Sequence, residues 1–84
     1  MEIFYIKSDE NYKVIEKQGA KITETRLNTD KVEVFKLHKI TLEIYLKTMK
    51  LVQRKEIIDF IIKNKLPYRL PEVQLKMDLQ QKLF

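Results

Sequence analysis

Turn-forming residues are scarce in this chain: Gly19 is its single glycine, and Pro67 and Pro71 are its only prolines. Because glycine and proline mark most turns and chain breaks, the loops between secondary-structure elements should be few and short. The chain also contains no glycine- or serine-rich stretch that could act as a flexible linker. At 84 residues it has the length of one domain. We therefore expect residues 1–84 to fold as a single domain.

The composition excludes several classes of protein. The chain has no cysteine and only one histidine, which excludes a disulfide framework, a thiolate metal site and a histidine-rich metal centre. Hydrophobic residues make up 44% of the chain, which argues against intrinsic disorder although 35% of the residues are charged. No apolar segment approaches the ~18 residues of a membrane span, and the N-terminus lacks the layout of a signal peptide. We therefore expect a soluble, cytoplasmic protein that binds no metal and no cofactor.

Residues 2–7 (EIFYIK) are rich in β-branched and aromatic side chains, and they predict a strand. Apolar residues fall on both of its faces, as in a central strand that is buried on both sides. Residues 8–19 allow two interpretations. Either residues 8–10 (Ser-Asp-Glu) begin a short helix that Gly19 ends, or residues 11–17 form a strand that a hairpin turn follows. The segment is too short for its periodicity to decide.

An antiparallel hairpin is expected next. Residues 20–27 and 31–37 carry strand-forming side chains, and the Asn-Thr-Asp between them is typical of a turn. Residues 40–47 then alternate strictly between apolar and polar side chains, which predicts a half-buried strand. Since no turn residue separates these segments, residues 31–47 could instead form one long strand with a bulge near residues 37–38.

The most regular helical pattern covers residues 49–65. Its apolar stripe consists of Ile57, Ile58, Ile61 and Ile62, with Phe60 at the margin. Pro67 disfavours helical geometry in the residue before it and should end the helix. Residues 73–80 alternate in polarity and predict a strand, although their residue types would also suit a helix that begins at Pro71.

The order of these elements is β, short α, β, β, long α, β. It predicts the α+β class, with a small antiparallel sheet, helices on one face, and a ferredoxin-like βαββαβ topology. The alternative is an antiparallel β-meander covered by C-terminal helices.

No catalytic signature is present. P-loop and dinucleotide-binding motifs need glycines that the chain lacks. Ser8 is the only serine, and a capping role suits it better than a nucleophilic one. An enzyme would have to use Asp9, Glu10 and the single histidine, His38. We therefore expect a protein that is not an enzyme.

The positive charge of the chain is unevenly distributed. Residues 1–48 contain nine basic and eight acidic residues, whereas residues 49–84 contain eight basic and four acidic residues. Basic side chains surround both ends of the predicted long helix, where they could contact phosphate groups. These candidates are Lys47, Lys50, Arg54, Lys55, Lys63, Lys65 and Arg69. The alternative is that their stems cover the edge of the core and their charged ends serve solubility.

The C-terminal segment is strongly apolar and could form a homodimer interface. The residues expected there are Leu75, Met77, Leu79, Leu83 and Phe84. The same residues would equally suit a plain core strand with a frayed end.

Together these features predict a non-enzymatic nucleic-acid-binding module, a small regulator or accessory factor of a microbe or virus, that acts through phosphate contacts. The rival hypothesis is a protein-interaction module or inhibitor that pairs with a partner through its apolar C-terminal segment or through a sheet edge. No contact with a membrane is expected.

Overall fold

The computed structural model of the protein describes residues 1–71. They form a five-stranded antiparallel sheet and two α-helices, which confirms the α+β class. In chain order the elements are β1 (Glu2–Ser8), β2 (Asn11–Gln18), β3 (Lys21–Leu27), β4 (Val32–Lys36), α1 (Lys39–Thr48), β5 (Lys50–Leu51) and α2 (Arg54–Asn64).

The first four strands form a meander, and the strand order across the sheet is β4-β3-β2-β1-β5. Ser8 pairs with Asn11, and Gln18 pairs with Lys21, so each of the first two hairpins has a two-residue turn. Gly19 begins the second turn with a φ of 58°, a conformation that glycine adopts without strain. Of the two interpretations of residues 8–19, the strand followed by a turn is therefore confirmed, and the helix is wrong.

Residues 40–47 were expected to form a strand, but they belong to α1. Apolar side chains recur at helical spacing on the side of α1 that faces the sheet: Leu42, Tyr45, Leu46 and Met49. Ile40 and Ile44, which the strand would have buried, are 71% and 52% exposed. Residues 40–47 are helical because that conformation places these four apolar side chains against the sheet. β4 therefore ends at Lys36 and does not continue as one long bulged strand.

The two helices cover opposite faces of the sheet. Val14 and Ile15 are neighbours in β2 and therefore point to opposite faces. Val14 shares a buried cluster with Ile57 of α2, whereas Ile15 shares one with Leu42 of α1. The element order is thus the β-meander with helices, and neither the ferredoxin-like order nor the placement of both helices on one face is found. The reason is topological: β4 and β5 are opposite edges, so α1 crosses one face to join them and leaves the other to α2.

The long helix begins later than predicted, at Arg54, because residues 50–51 extend beside β1 as β5. Ile57 is fully buried and Ile58 is half-buried, but Ile62 is 68% exposed. Phe60 lies on the sheet side of α2, where its ring centroid is 4.7 Å from that of Tyr12. The predicted stripe therefore faces the sheet through Ile57 and Phe60, and Ile62 faces away from it.

No helix among residues 1–71 is long and apolar enough to cross a membrane. The strand predicted for residues 73–80 lies outside the described residues. So does the predicted interface of Leu75, Met77, Leu79, Leu83 and Phe84.

Candidate nucleic-acid interface

Four of the predicted basic residues surround the edge strand β5. Lys47 lies in the last turn of α1, on one face of the sheet, and Lys50 lies in β5 itself. Arg54 and Lys55 begin α2 on the other face. Between the end of α1 and the start of α2 the chain passes from one face of the sheet to the other through β5. These four residues therefore lie at the same edge of the sheet. We call Lys7, Lys47, Lys50, Arg54 and Lys55 the β5-edge surface.

Lys7, in β1, joins this surface through the pairing of β1 with β5. It lies directly opposite Lys50, so both side chains leave the same face of the sheet. The Lys7 ammonium is 5.9 Å from the centroid of the Tyr12 ring. Within the described part of the chain, neither Lys7 nor Lys50 forms an ion pair. Two like charges directly opposite each other in a sheet repel, so this pair would be stabilised by an anion.

The two acidic residues of α2 that lie near this surface already have partners. Glu56 accepts a hydrogen bond of 2.7 Å from the Tyr12 hydroxyl, and Asp59 accepts one of 3.4 Å from Lys55. The bond to Glu56, together with burial and the negative charge of Glu56, raises the pKa of Tyr12 to about 12. Asp59 thus partly neutralises Lys55, whereas Lys7, Lys47 and Lys50 form no ion pair with any residue that the structure describes.

The N-terminus of α2 adds positive potential to the β5-edge surface. Gln53 occupies the N-cap and makes no side-chain hydrogen bond to the first turn. The Glu56 N–H donates to the Gln53 carbonyl at 3.0 Å, and Glu56 is the one acid of the first turn, but the Gln53 side chain offers the other N–H groups no acceptor. Partial positive charge on such backbone N–H groups favours a nearby anion.

Arg54 also faces a cavity of about 210 Å³ between α2 and the segment that follows it. Its lining is formed by Arg54, Ile58, Ile61, Ile62, Tyr68, Arg69 and Leu70. The Arg54 Nη1 atom and the Tyr68 hydroxyl are buried, and neither has a hydrogen-bond partner in the described part of the chain. The Thr25 hydroxyl lies beside the Tyr68 phenol without meeting hydrogen-bond geometry, and burial raises the pKa of Tyr68. Arg54 is therefore half-buried.

The seven predicted basic residues do not form one continuous patch. The chain turns back after α2 and brings Arg69 to the cavity along the helix that Arg54 also lines. Lys63 and Lys65 are exposed at the other end of α2, about 15 Å from Arg54 given the rise of an α-helix. The basic residues thus form a large group at β5 and a smaller one beyond it.

The strongest electrostatic cluster is one that the sequence did not indicate. Glu24 has no solvent exposure and lies beneath α1. Its carboxylate accepts hydrogen bonds from Lys13 at 2.9 Å, Arg26 at 2.6 Å and the Tyr45 hydroxyl at 2.9 Å. The signal that could have found it is an acid in an otherwise strand-forming segment with bases at neighbouring cross-strand positions. Because the Glu24 carboxylate is inaccessible, we regard this cluster as structural.

The residues that an enzyme would have to use are far apart. Asp9 and Glu10 form the turn between β1 and β2, whereas His38 precedes α1 next to residues 20–22. These are opposite ends of the sheet, separated by roughly the 24 Å length of β2. Residues 1–71 contain no group of three His, Cys, Asp or Glu side chains that could hold a metal ion.

Comparison of the chain with protein-family models, with curated proteins and with solved structures finds no match. Function must therefore be inferred from the residues of the chain itself.

Proposed function

We propose that the protein is a non-enzymatic regulatory or accessory module that binds nucleic acid through phosphate contacts at the β5-edge surface. The observation that carries this proposal is the cross-strand pair of Lys7 and Lys50, two lysines opposite each other that have no acidic partner among residues 1–71. A phosphate between them would contact both ammonium groups and remove their repulsion.

The distribution of charge favours a polyanion over a single small anion. Residues 49–71 contain six basic and two acidic side chains, and both acids already accept hydrogen bonds. Lys63 and Lys65 extend the positive charge along α2, about 15 Å beyond the β5-edge surface. Phosphates follow each other closely along a nucleic-acid strand, so one strand could contact both groups.

Each basic residue has a distinct role in this proposal. Lys7, Lys47, Lys50 and Lys55 bind backbone phosphates at the β5 edge, and Lys63 and Lys65 bind a more distant part of the same strand. Arg54 and Arg69 line one cavity, in which the unpartnered Arg54 Nη1 and Tyr68 hydroxyl would suit a phosphate or base acceptor.

The test is a salt titration of binding to duplex and single-stranded nucleic acid. The double variant Lys7→Gln with Lys50→Gln should weaken binding to all sequences alike. It should also reduce the slope of log affinity against log salt by about one unit on duplex DNA, since the two lysines share one phosphate and each neutralised phosphate adds about 0.9 to that slope.

The matched control is Lys21→Gln with Lys39→Gln. It removes the same number of exposed lysines from positions away from β5 and should leave the slope unchanged. Equal losses in both double variants would mean that total charge, not this surface, governs binding. Absence of binding at low salt, for both single and double strands, would refute the proposed function.

A further inference from the structure

Among residues 1–71, no element pairs with the outer edge of β4. β4 pairs with β3 over residues 32–36, and no described strand pairs with its other side. The N–H of Leu37 donates to the carbonyl of Ile22, at 2.9 Å. Since backbone groups alternate in direction along a strand, the N–H and C=O groups of Val32, Val34 and Lys36 point away from the sheet.

β4 lacks two of the features that commonly keep another strand from pairing with an edge. It contains no proline, and its pairing with β3 runs without a bulge. Proteins commonly protect edges with charges, prolines or bulges, and of these β4 has only the charges of Glu33 and Lys36. They flank Val34, which is 65% exposed, and Phe35, which is 37% exposed.

We propose that β4 pairs with the β4 strand of a second copy of this chain, antiparallel, about a two-fold axis that passes through Val34. In this register Val34 pairs with its own copy, and Val32 pairs with Lys36 of the second copy. All the outward backbone groups of these residues then gain partners, and the two sheets become continuous. This inference does not depend on nucleic-acid binding.

Charge favours this register over its neighbours. Glu33 of one copy faces Phe35 of the second copy, and the Arg26 guanidinium lies over that ring, 4.1 Å from its centroid. The Glu33 carboxylate of each copy therefore lies near the Arg26 guanidinium of the other copy, and the two-fold axis gives two such contacts. An axis through Glu33 would instead place two carboxylates directly opposite each other, and an axis through Phe35 would leave Val32 without a partner inside the strand.

The experiment is measurement of molar mass by light scattering and sedimentation over a range of concentrations. The wild-type chain should approach twice its monomer mass of 10.2 kDa. Val34→Lys should weaken dimerisation by at least about tenfold, because two ammonium groups would meet at the axis. Val34→Pro should do the same by removing the outward N–H, which an edge strand tolerates. The control Ile62→Lys makes the same type of change at an exposed position on α2 and should remain dimeric.

Amide hydrogen exchange of the wild-type protein gives a second measurement that needs no variant. The N–H groups of Val32, Val34 and Lys36 should become protected as the concentration rises. A wild-type chain that stays monomeric at high micromolar concentration would overturn the inference. So would a dimer that both Val34 variants leave intact, or one in which these three amides exchange freely.

Discussion

Glu24 is a carboxylate without solvent contact, and its hydrogen bonds keep it charged. Burial raises the pKa of Glu24. The hydrogen bonds from Arg26, Lys13 and Tyr45 and the charge of Lys13 lower it by more, so the pKa lies below the usual value. Tyr45 is the only one of these donors that comes from α1. The carboxylate therefore connects α1 to two strands of the sheet, and this buried contact should help to fix the position of α1.

The variant Glu24→Gln should destabilise the fold. It keeps the shape of the side chain but leaves Lys13, whose side chain is only 12% exposed, without its counter-ion. We expect a loss of about 3 kcal/mol, the lower end of the range for a broken buried pair, because Arg26 is 42% exposed and can regain water. Urea denaturation at pH 7 measures this. The control Glu43→Gln removes an exposed carboxylate from α1 and should change stability by less than about 0.5 kcal/mol.

The pH dependence of that loss follows from the direction of the pKa shift. Because the pKa of Glu24 is lower in the folded state, its charge stabilises the fold above the unfolded value of about 4.3. This stabilisation is lost as the pH falls through the folded value. The difference in stability between wild type and Glu24→Gln should therefore be constant near neutral pH and decrease in acid. A difference that grows on acidification would contradict a charged Glu24.

Single elements show how far the sequence could predict this fold. The hairpin of β3 and β4 was predictable, because strand-forming residues flank a clear turn. Helix α1 was not, because its isoleucines alternate with polar residues while Leu42, Tyr45 and Leu46 also recur at helical spacing. The composition of β1 could have decided between strand and helix for residues 40–47. A strand that is apolar on both faces needs a covering element on each side of the sheet, and α1 provides one of them.

The strand β5 explains why the candidate site was only partly predictable. Its two residues are too few to show any periodicity, and they lay inside the segment predicted as a helix. The clustering of basic residues around them was visible in the sequence. The pairing of Lys7 with Lys50 was not, because it depends on the register of two strands that are distant in the chain.

A pair of alanine variants tests the assignment of α1. Leu42 is buried against the sheet, so Leu42→Ala should cost about 2–5 kcal/mol of unfolding free energy. Ile44 is exposed, so Ile44→Ala should cost less than about 1 kcal/mol. A strand over residues 40–47 would bury both side chains on one face, and the two variants would then lose similar stability. Chemical denaturation of both variants distinguishes these results.

The whole molecule has different properties at its two sheet edges. β4 exposes backbone groups for pairing, and β5 carries the basic surface at the opposite edge. A dimer through β4 would leave the two β5-edge surfaces outermost, about 40 Å apart at the usual strand spacing. A nucleic acid long enough to reach both would be bound at two sites, so that its second contact would form at a high effective concentration.

This arrangement, which depends on both the dimer and the proposed nucleic-acid binding, predicts a dependence on duplex length. Val34→Pro leaves the net charge unchanged and should weaken binding to a duplex of about 30 base pairs by at least tenfold, through loss of the second binding site. It should leave binding to a duplex of about 8 base pairs unchanged, since that length cannot reach both surfaces. The Lys7→Gln, Lys50→Gln variant should weaken both. Fluorescence anisotropy at one salt concentration measures all these affinities. Equal weakening by Val34→Pro on both lengths would show damage to the β5-edge surface itself, and no weakening on either would show that the two surfaces do not act together.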